Sequence, residues 1–175
     1  GMDIPSYTAL IREGRIEDAY KIRLRTNPFP SVCGRVCDHK CQSKCRRGKM
    51  DEPIAIKFLK RFITDNAPRP KIEAVPVTRE EKIAVVGAGP TGLTAAVALP
   101  LRGCKVTVLE KLSEAGGMLR WAIPAYRLPR PIIAKEIADI RALGVEIRCN
   151  TRVGRDVSFE KIDQDFNYIC LAPGA

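Results

Sequence analysis

A glycine-rich loop between an apolar segment and a helix-forming segment constrains the fold of this chain more than any other feature. The segment KIAVV at residues 82–86 is typical of a buried strand, and Gly87, Gly89 and Gly92 follow it in the pattern GxGxxG. In this pattern the first glycine permits a tight turn, the second lets a phosphate approach the backbone, and the third allows close packing of helix and strand. The sequence therefore predicts the first strand, turn and helix of a nucleotide-binding α/β domain, with a structural turn that binds no ligand as the alternative.

The segments that follow predict further strands and helices in alternation. Residues 130–144 are predicted to form a helix that ends at Gly144, and Pro100 is predicted to kink or end the helix after the glycine loop. Such alternation is typical of a parallel sheet with helical crossovers. Three segments are predicted strands: KVTVLE at 105–110, VEIRC at 145–149 and YICLA at 168–172.

Glu110 ends the second predicted strand, about twenty residues after the glycine loop, where an acidic side chain accepts a hydrogen bond from a ribose hydroxyl. A carboxylate at this position would repel a 2′-phosphate. The sequence therefore disfavours NADP at this site and leaves FAD or NAD as the expected ligand.

The N-terminal part of the chain has a different pattern. Residues 4–14 and 15–27 are predicted to form two short helices separated at Gly14, and the cysteine-rich segment after them is predicted to be mainly loop. Residues 51–65 form an amphipathic pattern with Pro53 in the first helical turn. The proline-rich stretch 66–80 has no apolar period and is predicted to be a stiff linker. We expect a helical cysteine-rich domain at 1–65 and an α/β domain at 81–175.

Four cysteines recur at every fourth position: Cys33, Cys37, Cys41 and Cys45. Disulfide pairing is disfavoured because the chain has 7 cysteines and shows no secretory signal. The spacing matches neither a zinc ribbon nor the bacterial ferredoxin pattern, and a single tetrahedral site would require a looped backbone. Iron, zinc and reduced thiols without metal therefore all remain open at this point.

The other candidate side chains have ordinary explanations as well. His39 is the only histidine, and we expect an exposed loop residue more than a metal ligand. Trp121 and Tyr126 are either ordinary packing residues or stacking partners for a ring. Three cysteines outside the cluster are expected to be small buried apolar residues: Cys104, Cys149 and Cys170.

The charge and hydropathy of the chain exclude some classes of function. The net charge is +10, with most of the excess within residues 1–63, which raises the alternative of a non-enzymatic metal-binding adaptor that contacts nucleic acid. A nucleic-acid partner is nevertheless disfavoured because the aromatic residues show no stacking pattern. No apolar run is long enough to span a membrane and no signal peptide is evident, so we expect a cytoplasmic protein.

Taken together, the blocks NPFPSVCGRVCDHKCQSKC, EPIAIKFLKRF, GAGPTGLTAA, EAGGMLRWAIPAYRLP and YICLAPGA resemble one family. The chain is similar to the small (beta) subunit of NADPH-dependent glutamate synthase and equally to the N-terminal half of dihydropyrimidine dehydrogenase. The resemblance covers nearly the whole chain. It implies a helical domain with two 4Fe–4S clusters, followed by an FAD domain into which an NADPH domain is inserted. Electrons would pass from NADPH through FAD and the clusters to a large catalytic subunit or domain.

The resemblance also implies which residues contact the cofactors. Gly87, Gly89, Gly92 and Glu110 match the positions that contact the FAD pyrophosphate and ribose, and no residue is expected to be catalytic. The remaining predicted cofactor contacts are Pro90 and Lys111 beside these positions, and Gly117, Met118, Leu119 and Arg120 near the flavin ring.

For the cluster domain, the resemblance implies that Cys37, Cys41 and Cys45 correspond to ligands and Cys33 to a neighbouring cysteine. Lys60 stands where the family has a glutamine or glutamate ligand, and a protonated lysine cannot replace it. The resemblance also implies further ligands upstream of the sequence DIPSY and a return segment of the flavin domain beyond YICLAPGA. We therefore expect a fragment of a longer oxidoreductase, inactive alone and with weak FAD retention.

Overall fold

The computed structural model describes residues 2–174, which form two compact units. The N-terminal unit ends at Lys71 and the C-terminal unit begins at Ile72. The N-terminal unit is helical throughout, so its side chains must form a core without the support of a sheet. Its elements are α1 (Ile4–Arg12), α2 (Ile16–Leu24), α3 (Pro30–Val36), α4 (Lys40–Ser43), a 3₁₀ helix (Arg46–Lys49) and α5 (Ile56–Asn66).

The first two helices lie within the two predicted segments, and they end two and three residues before the predicted ends. The Asp3 carboxylate accepts a hydrogen bond from the Ser6 amide at 3.1 Å and caps α1, and this contact holds the pKa of Asp3 below its usual range. Gly14 has a φ of +76°, a left-handed conformation that glycine adopts without strain, and it separates α1 from α2. The prediction of two short helices is confirmed.

The cysteine-rich segment is more regular than the sequence predicts. Cys33 lies within α3 and Cys41 within α4, whereas Cys37 and Cys45 flank helices. The prediction of a mainly irregular segment was wrong, because α3 packs against α5 so closely that a Cβ on Gly34 would lie 3.0 Å from the Arg61 Cα. Only a small residue at this position allows that contact, and the contact stabilises a helix too short to persist alone.

The amphipathic helix begins later than predicted, at Ile56 instead of near Pro53. The Asp51 carboxylate pairs with Arg47 and does not cap this helix. The side chain of Gln42 accepts the amide hydrogen of Lys57 at 2.9 Å and occupies the capping role. A partner distant in sequence therefore sets the helix start.

The core of the N-terminal unit joins α1, α2 and α5. Tyr7, Ala19, Tyr20, Ile56 and Ile63 are buried together, and the Cys41 side chain packs against them. One cysteine of the repeat is therefore part of the boundary of this apolar core.

The C-terminal unit is an α/β structure with a parallel sheet. Its strands are β1 (Lys82–Val86), β2 (Lys105–Leu109), β3 (Glu146–Arg148) and β4 (Tyr168–Leu171), arranged in the order β3-β2-β1-β4. Its helices are α6 (Pro90–Ala98), a 3₁₀ turn (Pro100–Arg102), α7 (Met118–Trp121), α8 (Arg130–Ala142) and α9 (Phe159–Asp165). The predicted fold class, helical followed by Rossmann-like, is confirmed.

The order of the strands determines where a ligand can enter. The chain runs from β1 outward to β2 and β3 and then returns to place β4 on the other side of β1. A parallel sheet has its crevice at the carboxyl ends of the strands, where the chain direction across the sheet reverses. That point lies between β1 and β4, next to the glycine loop. Pro100 ends α6 as predicted.

Candidate functional site

The glycine loop has the geometry that its three positions require. Gly87 has a φ of +103°, and a Cβ on it would lie 2.2 Å from the carbonyl oxygen of Ala172. A Cβ on Gly92 would lie 1.9 Å from the carbonyl oxygen of Gly87, because α6 begins directly against β1. Gly89 has no heavy atom within 4 Å of where its Cβ would stand. The free space at Gly89 is the space that a pyrophosphate group needs.

A second glycine loop packs onto the first. A Cβ on Gly117 would lie 2.7 Å from the Cα of Gly89, and the Gly117 φ is +50°. The amide of Gly116 donates to the carbonyl oxygen of Ala88 at 2.8 Å. The predicted flavin-proximal block therefore lies beside the predicted phosphate loop.

Glu110 connects these loops and is almost completely buried, with 4% exposure. One carboxylate oxygen accepts the Ala88 amide at 2.7 Å and the other accepts the Leu112 amide at 2.9 Å. A carboxylate has about four acceptor positions, so two remain for hydroxyl donors such as those of a ribose.

Two clefts meet at Glu110. One has a volume of about 270 Å³ and contains the side chains of Met118 and Trp121 opposite the glycine loop. The other, of about 210 Å³, adds Thr151 and Arg152. Of the predicted cofactor contacts, those that line the larger cleft are Gly87, Gly89, Pro90, Glu110, Lys111, Gly117 and Met118.

Three predicted contacts lie outside the lining of this cleft. Gly92 is buried in the joint of α6 and β1, and Leu119 is 8% exposed in the core. The Arg120 guanidinium donates to the carbonyl oxygen of Ala115 at 3.1 Å and to the Glu114 carboxylate at 2.9 Å. These residues support the loops around the cleft.

Trp121 lines the larger cleft with half of its surface exposed, whereas Tyr126 is 91% exposed. The structure therefore gives Trp121 a surface on which a ring could lie. The open backbone at Gly89, the buried carboxylate of Glu110 and this apolar wall fit a flavin dinucleotide.

In the N-terminal unit, the structure distributes the four cysteines in pairs. Cys33 and Cys37 interact through their side chains, and Cys41 and Cys45 line one cavity of about 560 Å³ together with residues of α1. Among residues 2–174, no group of three or more cysteine, histidine or carboxylate side chains is close enough to hold a metal ion. Each pair could supply part of the ligand set of a cluster.

The surroundings of the thiols differ in their effect on ionisation. Burial raises the pKa of the Cys33 thiol, and the nearby Lys60 ammonium, whose Nζ is 3.9 Å from the Cys33 sulfur, opposes this increase. Hydrogen bonds from the backbone, above all from Ile54, lower the pKa of the Cys45 thiol. Cys45 therefore has a greater tendency than Cys33 to form the thiolate that binds metal.

His39 and Cys37 are linked by local backbone geometry. His39 is exposed, in agreement with the expectation of a loop residue, and its φ of +49° places its amide 3.3 Å from the Cys37 sulfur. The His39 amide thus donates a hydrogen bond to the Cys37 sulfur, as backbone amides do around iron–sulfur clusters.

Two buried hydroxyl groups near the cysteines have no partner. The Tyr7 hydroxyl and the Thr8 hydroxyl of α1 are both without a hydrogen bond among the described residues. Thr8 lines the cavity that contains Cys41 and Cys45. Sequence patterns alone identified neither residue, because Tyr7 follows the apolar period of a core helix. Unpartnered donors beside thiols fit a sulfur-containing group, and so does the chemistry of the thiols themselves.

Three cysteines in the C-terminal unit stand apart from the candidate sites. Cys104, Cys149 and Cys170 are half-buried, which differs from the expectation of small buried residues. Each lies at or beside the end of a strand, where one side of the residue stays open.

Comparison with known proteins connects the two units to one group of enzymes. Residues 1–72 match the family model for dihydropyrimidine dehydrogenase domain II, 4Fe-4S cluster, and residues 85–132 match that for an NAD(P)-binding Rossmann-like domain. The chain is 43% identical over 99% of its length to the NADP(+)-dependent formate dehydrogenase subunit beta of Moorella thermoacetica, and covers 28% of that protein. It is 35% identical over 98% of its length to the glutamate synthase [NADPH] small chain of Escherichia coli, and covers 37% of it. The predicted family resemblance is confirmed.

The chain thus spans between 28% and 37% of the length of these two relatives. It is also 41% identical over 99% of its length to the NADPH-Fe(3+) oxidoreductase subunit beta of Geobacter sulfurreducens, and covers 27% of that protein. A solved structure of FprA, an oxidoreductase of Mycobacterium tuberculosis, matches 55% of the chain and 23% of its own chain with a TM-score of 0.50 and 23% identity. This last similarity shows the fold alone.

Proposed function

We propose that the chain supplies the cysteine-rich segment and the first nucleotide-binding segment of a flavin and iron–sulfur oxidoreductase. In the whole protein, electrons would pass from NADPH through FAD and 4Fe–4S clusters to a partner subunit or domain. The observation that carries this proposal is that one chain combines a match to a 4Fe–4S domain with a glycine-loop cleft closed by a buried carboxylate. The functional segments we assign are 1–65 and 81–175, joined by the linker 66–80.

The residues of the cleft would bind and orient the dinucleotide. The amides at the N-terminus of α6 favour the pyrophosphate, because they have no partners within the helix and the helix dipole is positive there. Glu110 would accept from the ribose, and Trp121 with Met118 would cover one face of the flavin. FAD supplies the chemistry of accepting a hydride and passing on single electrons, and the clusters conduct those electrons.

Glu110 also determines which nucleotide this cleft accepts. Its carboxylate is held by two amides and lies between the two clefts, so a 2′-phosphate on the ribose would meet a buried negative charge. We therefore assign FAD to this cleft and NADPH to another part of the whole protein.

The cysteines would bind iron through their thiolates. Cys37, Cys41 and Cys45 are the proposed ligands. Cys33 is a neighbouring cysteine, and the Lys60 ammonium group lies beside its sulfur. Because the described cysteines form pairs, further ligands are needed to complete each cluster.

Two parts of the proposal concern the setting of the protein. The relatives are named as small chains or beta subunits, which supports a partner that accepts the electrons; a large catalytic subunit is our specific proposal.

The seven cysteines are unpaired in the structure, which supports a reducing compartment such as the cytoplasm. No helix in the described part of the chain is long and apolar enough to cross a membrane. Nothing in the comparisons supports the nucleic-acid adaptor.

The single tryptophan provides a direct test of the nucleotide assignment. Trp121 lies in the larger cleft and is the only tryptophan of the chain, so its fluorescence reports occupancy of that cleft. We expect FAD to quench it saturably, and NADP⁺ to require at least about tenfold higher concentrations because of Glu110. Free tryptophan provides the correction for light absorbed by the ligands.

A pair of variants controls for changes outside the cleft. Gly89→Leu places a side chain in the open space of the phosphate loop and should abolish quenching by FAD. Ala142→Leu, at an exposed position late in α8, should leave it unchanged. Equal affinity of the unmodified protein for FAD and NADP⁺, or FAD binding that Gly89→Leu does not affect, would contradict the proposal.

A further inference from the structure

The Tyr7 side chain is completely buried and its hydroxyl has no hydrogen-bond partner among the described residues. Burying a hydroxyl without a partner costs free energy, so folded proteins seldom retain one. The hydroxyl lies at the end of a side chain held in the core of α1, α2 and α5 and cannot easily turn to water. Its position requires an explanation that packing does not give.

The surroundings of the hydroxyl indicate what kind of partner it lacks. Cys41 packs against the same core, and the thiols of Cys33, Cys37 and Cys41 all lie within electrostatic reach of the phenol. The next residue, Thr8, lines the cavity of Cys41 and Cys45 with a second unpartnered hydroxyl. Both unpartnered donors of α1 therefore belong to the cysteine side of the helix bundle.

The phenol is a donor under all ordinary conditions. Burial raises the pKa of Tyr7 far above its usual range, and the neighbouring thiols raise it further, while Arg23 opposes both effects. A phenol carries one O–H hydrogen to donate, and that of Tyr7 has no acceptor among the described residues. Sulfur atoms bonded to iron carry negative charge and accept such bonds.

A second buried tyrosine provides a comparison within the same core. Tyr20 is 1% exposed, and its hydroxyl accepts a hydrogen bond from Arg69 at 3.5 Å. The unit thus provides a protein partner for the Tyr20 hydroxyl. The Tyr7 hydroxyl is the one left without a protein partner among the described residues.

We propose that the Tyr7 hydroxyl donates a hydrogen bond to a sulfur atom of the iron–sulfur group bound at Cys41, and thereby raises its reduction potential. The inference rests on the proposed function, because it requires that iron and sulfide bind here. Tyr7 would act as a tuning residue: it stabilises the more negative, reduced form of the group and takes no part in electron transfer itself.

The test compares Tyr7→Phe with Tyr20→Phe in the full chain, loaded with iron and sulfide without oxygen and with excess 2-mercaptoethanol, which supplies the thiolate ligands that the described cysteine pairs lack. Loss of the Tyr7 bond should shift the one-electron reduction equilibrium by about tenfold toward the oxidised form. This equals a midpoint about 59 mV more negative in an electrochemical titration followed by electron paramagnetic resonance. Iron–sulfur stretching bands that move in D₂O for the unmodified protein should lose that shift in Tyr7→Phe. Tyr20→Phe should change neither signal.

The outcomes separate the inference from the proposed function. Before loading, Tyr7→Phe should unfold at the same temperature as the unmodified chain or higher, since it removes an unpartnered buried hydroxyl. If the unmodified chain takes up no iron and sulfide, the proposed cluster role and this inference are both overturned. If it does and the Tyr7→Phe midpoint equals that of the unmodified chain, or Tyr20→Phe shifts equally, the inference alone is overturned.

Discussion

Gly89 and Gly92 stand three residues apart in one loop, yet a side chain would meet very different surroundings at each. A Cβ at Gly92 would lie 1.9 Å from a backbone carbonyl oxygen, which side-chain rotation cannot relieve. A Cβ at Gly89 would enter open space, and the Gly89 φ of −79° suits any residue. Gly92 is therefore required by the fold, and we expect Gly89 to be required for the ligand.

Exchange of each glycine for alanine should separate these roles. Gly92→Ala forces the α6 and β1 backbones apart and should lower the free energy of unfolding by about 1–3 kcal/mol or more. Gly89→Ala should change it by less than about 1 kcal/mol but weaken FAD binding, because the methyl group occupies space that the pyrophosphate needs. Urea unfolding and quenching of Trp121 measure the two effects. A stable Gly92→Ala protein would show that the joint of α6 and β1 can relax.

The thiols of one short segment should also differ in reactivity. The pKa of Cys45 is lowered by backbone donors and that of Cys33 is raised by burial. In metal-free protein, iodoacetamide should modify Cys45 faster than Cys33, and the Cys45 rate should reach its plateau at a lower pH, since only the thiolate reacts. Peptide mass spectrometry between pH 6 and 9 gives both rates. Faster modification of Cys33 would contradict the described environments.

At the scale of elements, buried Arg23 holds the helices around the cysteines together. Its guanidinium on α2 donates to the carbonyl oxygen of Lys60 on α5 at 2.6 Å and to that of Pro30 on α3 at 3.0 Å. Pro30 belongs to α3, which contains Cys33 and ends beside Cys37, and α3 packs against α5. One side chain thereby fixes three helices that are individually short, and the cysteine geometry depends on it.

Replacement of this side chain should destabilise the N-terminal unit. Arg23→Met keeps the apolar stem but leaves two buried carbonyl groups without this donor, at a cost of about 2–5 kcal/mol in the free energy of unfolding. Arg25→Met provides the control, because Arg25 is exposed and directly follows α2. It should lower the free energy of unfolding by less than about 0.5 kcal/mol. Urea unfolding followed by circular dichroism measures both. Equal stability of the two variants would show that the clamp contributes little.

At the scale of the whole molecule, the local patterns predicted the α/β unit better than the helical unit. The run KIAVV and the glycines after it specify a strand, a turn and a helix through local sterics, so β1 and α6 could be predicted. The start of α5 could not, because it depends on Gln42, fifteen residues away. Nor could α3, which exists because Gly34 allows close packing on α5.

The candidate sites show the same division. The glycine loop and Glu110 are recognisable by residue type and spacing. The sequence left open whether Trp121 is a packing residue or a stacking partner for a ring, and only its position in the cleft favours the second interpretation. The hydroxyl groups of Tyr7 and Thr8 could not be predicted, because their significance lies in having no partner after the helices have packed. Contacts between distant segments carry no local signature in the sequence.

The central claim is that the chain holds a redox group at its cysteines, and one measurement tests it most directly. The full chain would be loaded with iron and sulfide without oxygen, with 2-mercaptoethanol to supply the thiolate ligands that the cysteine pairs lack. After removal of excess reagents, its visible spectrum would be recorded together with its iron, acid-labile sulfide, zinc and flavin content. The account predicts broad absorption in the visible range with iron and sulfide in equal amounts, both lost in Cys41→Ser and retained in Cys104→Ser. A folded, colourless protein without iron, or zinc in its place, would contradict it.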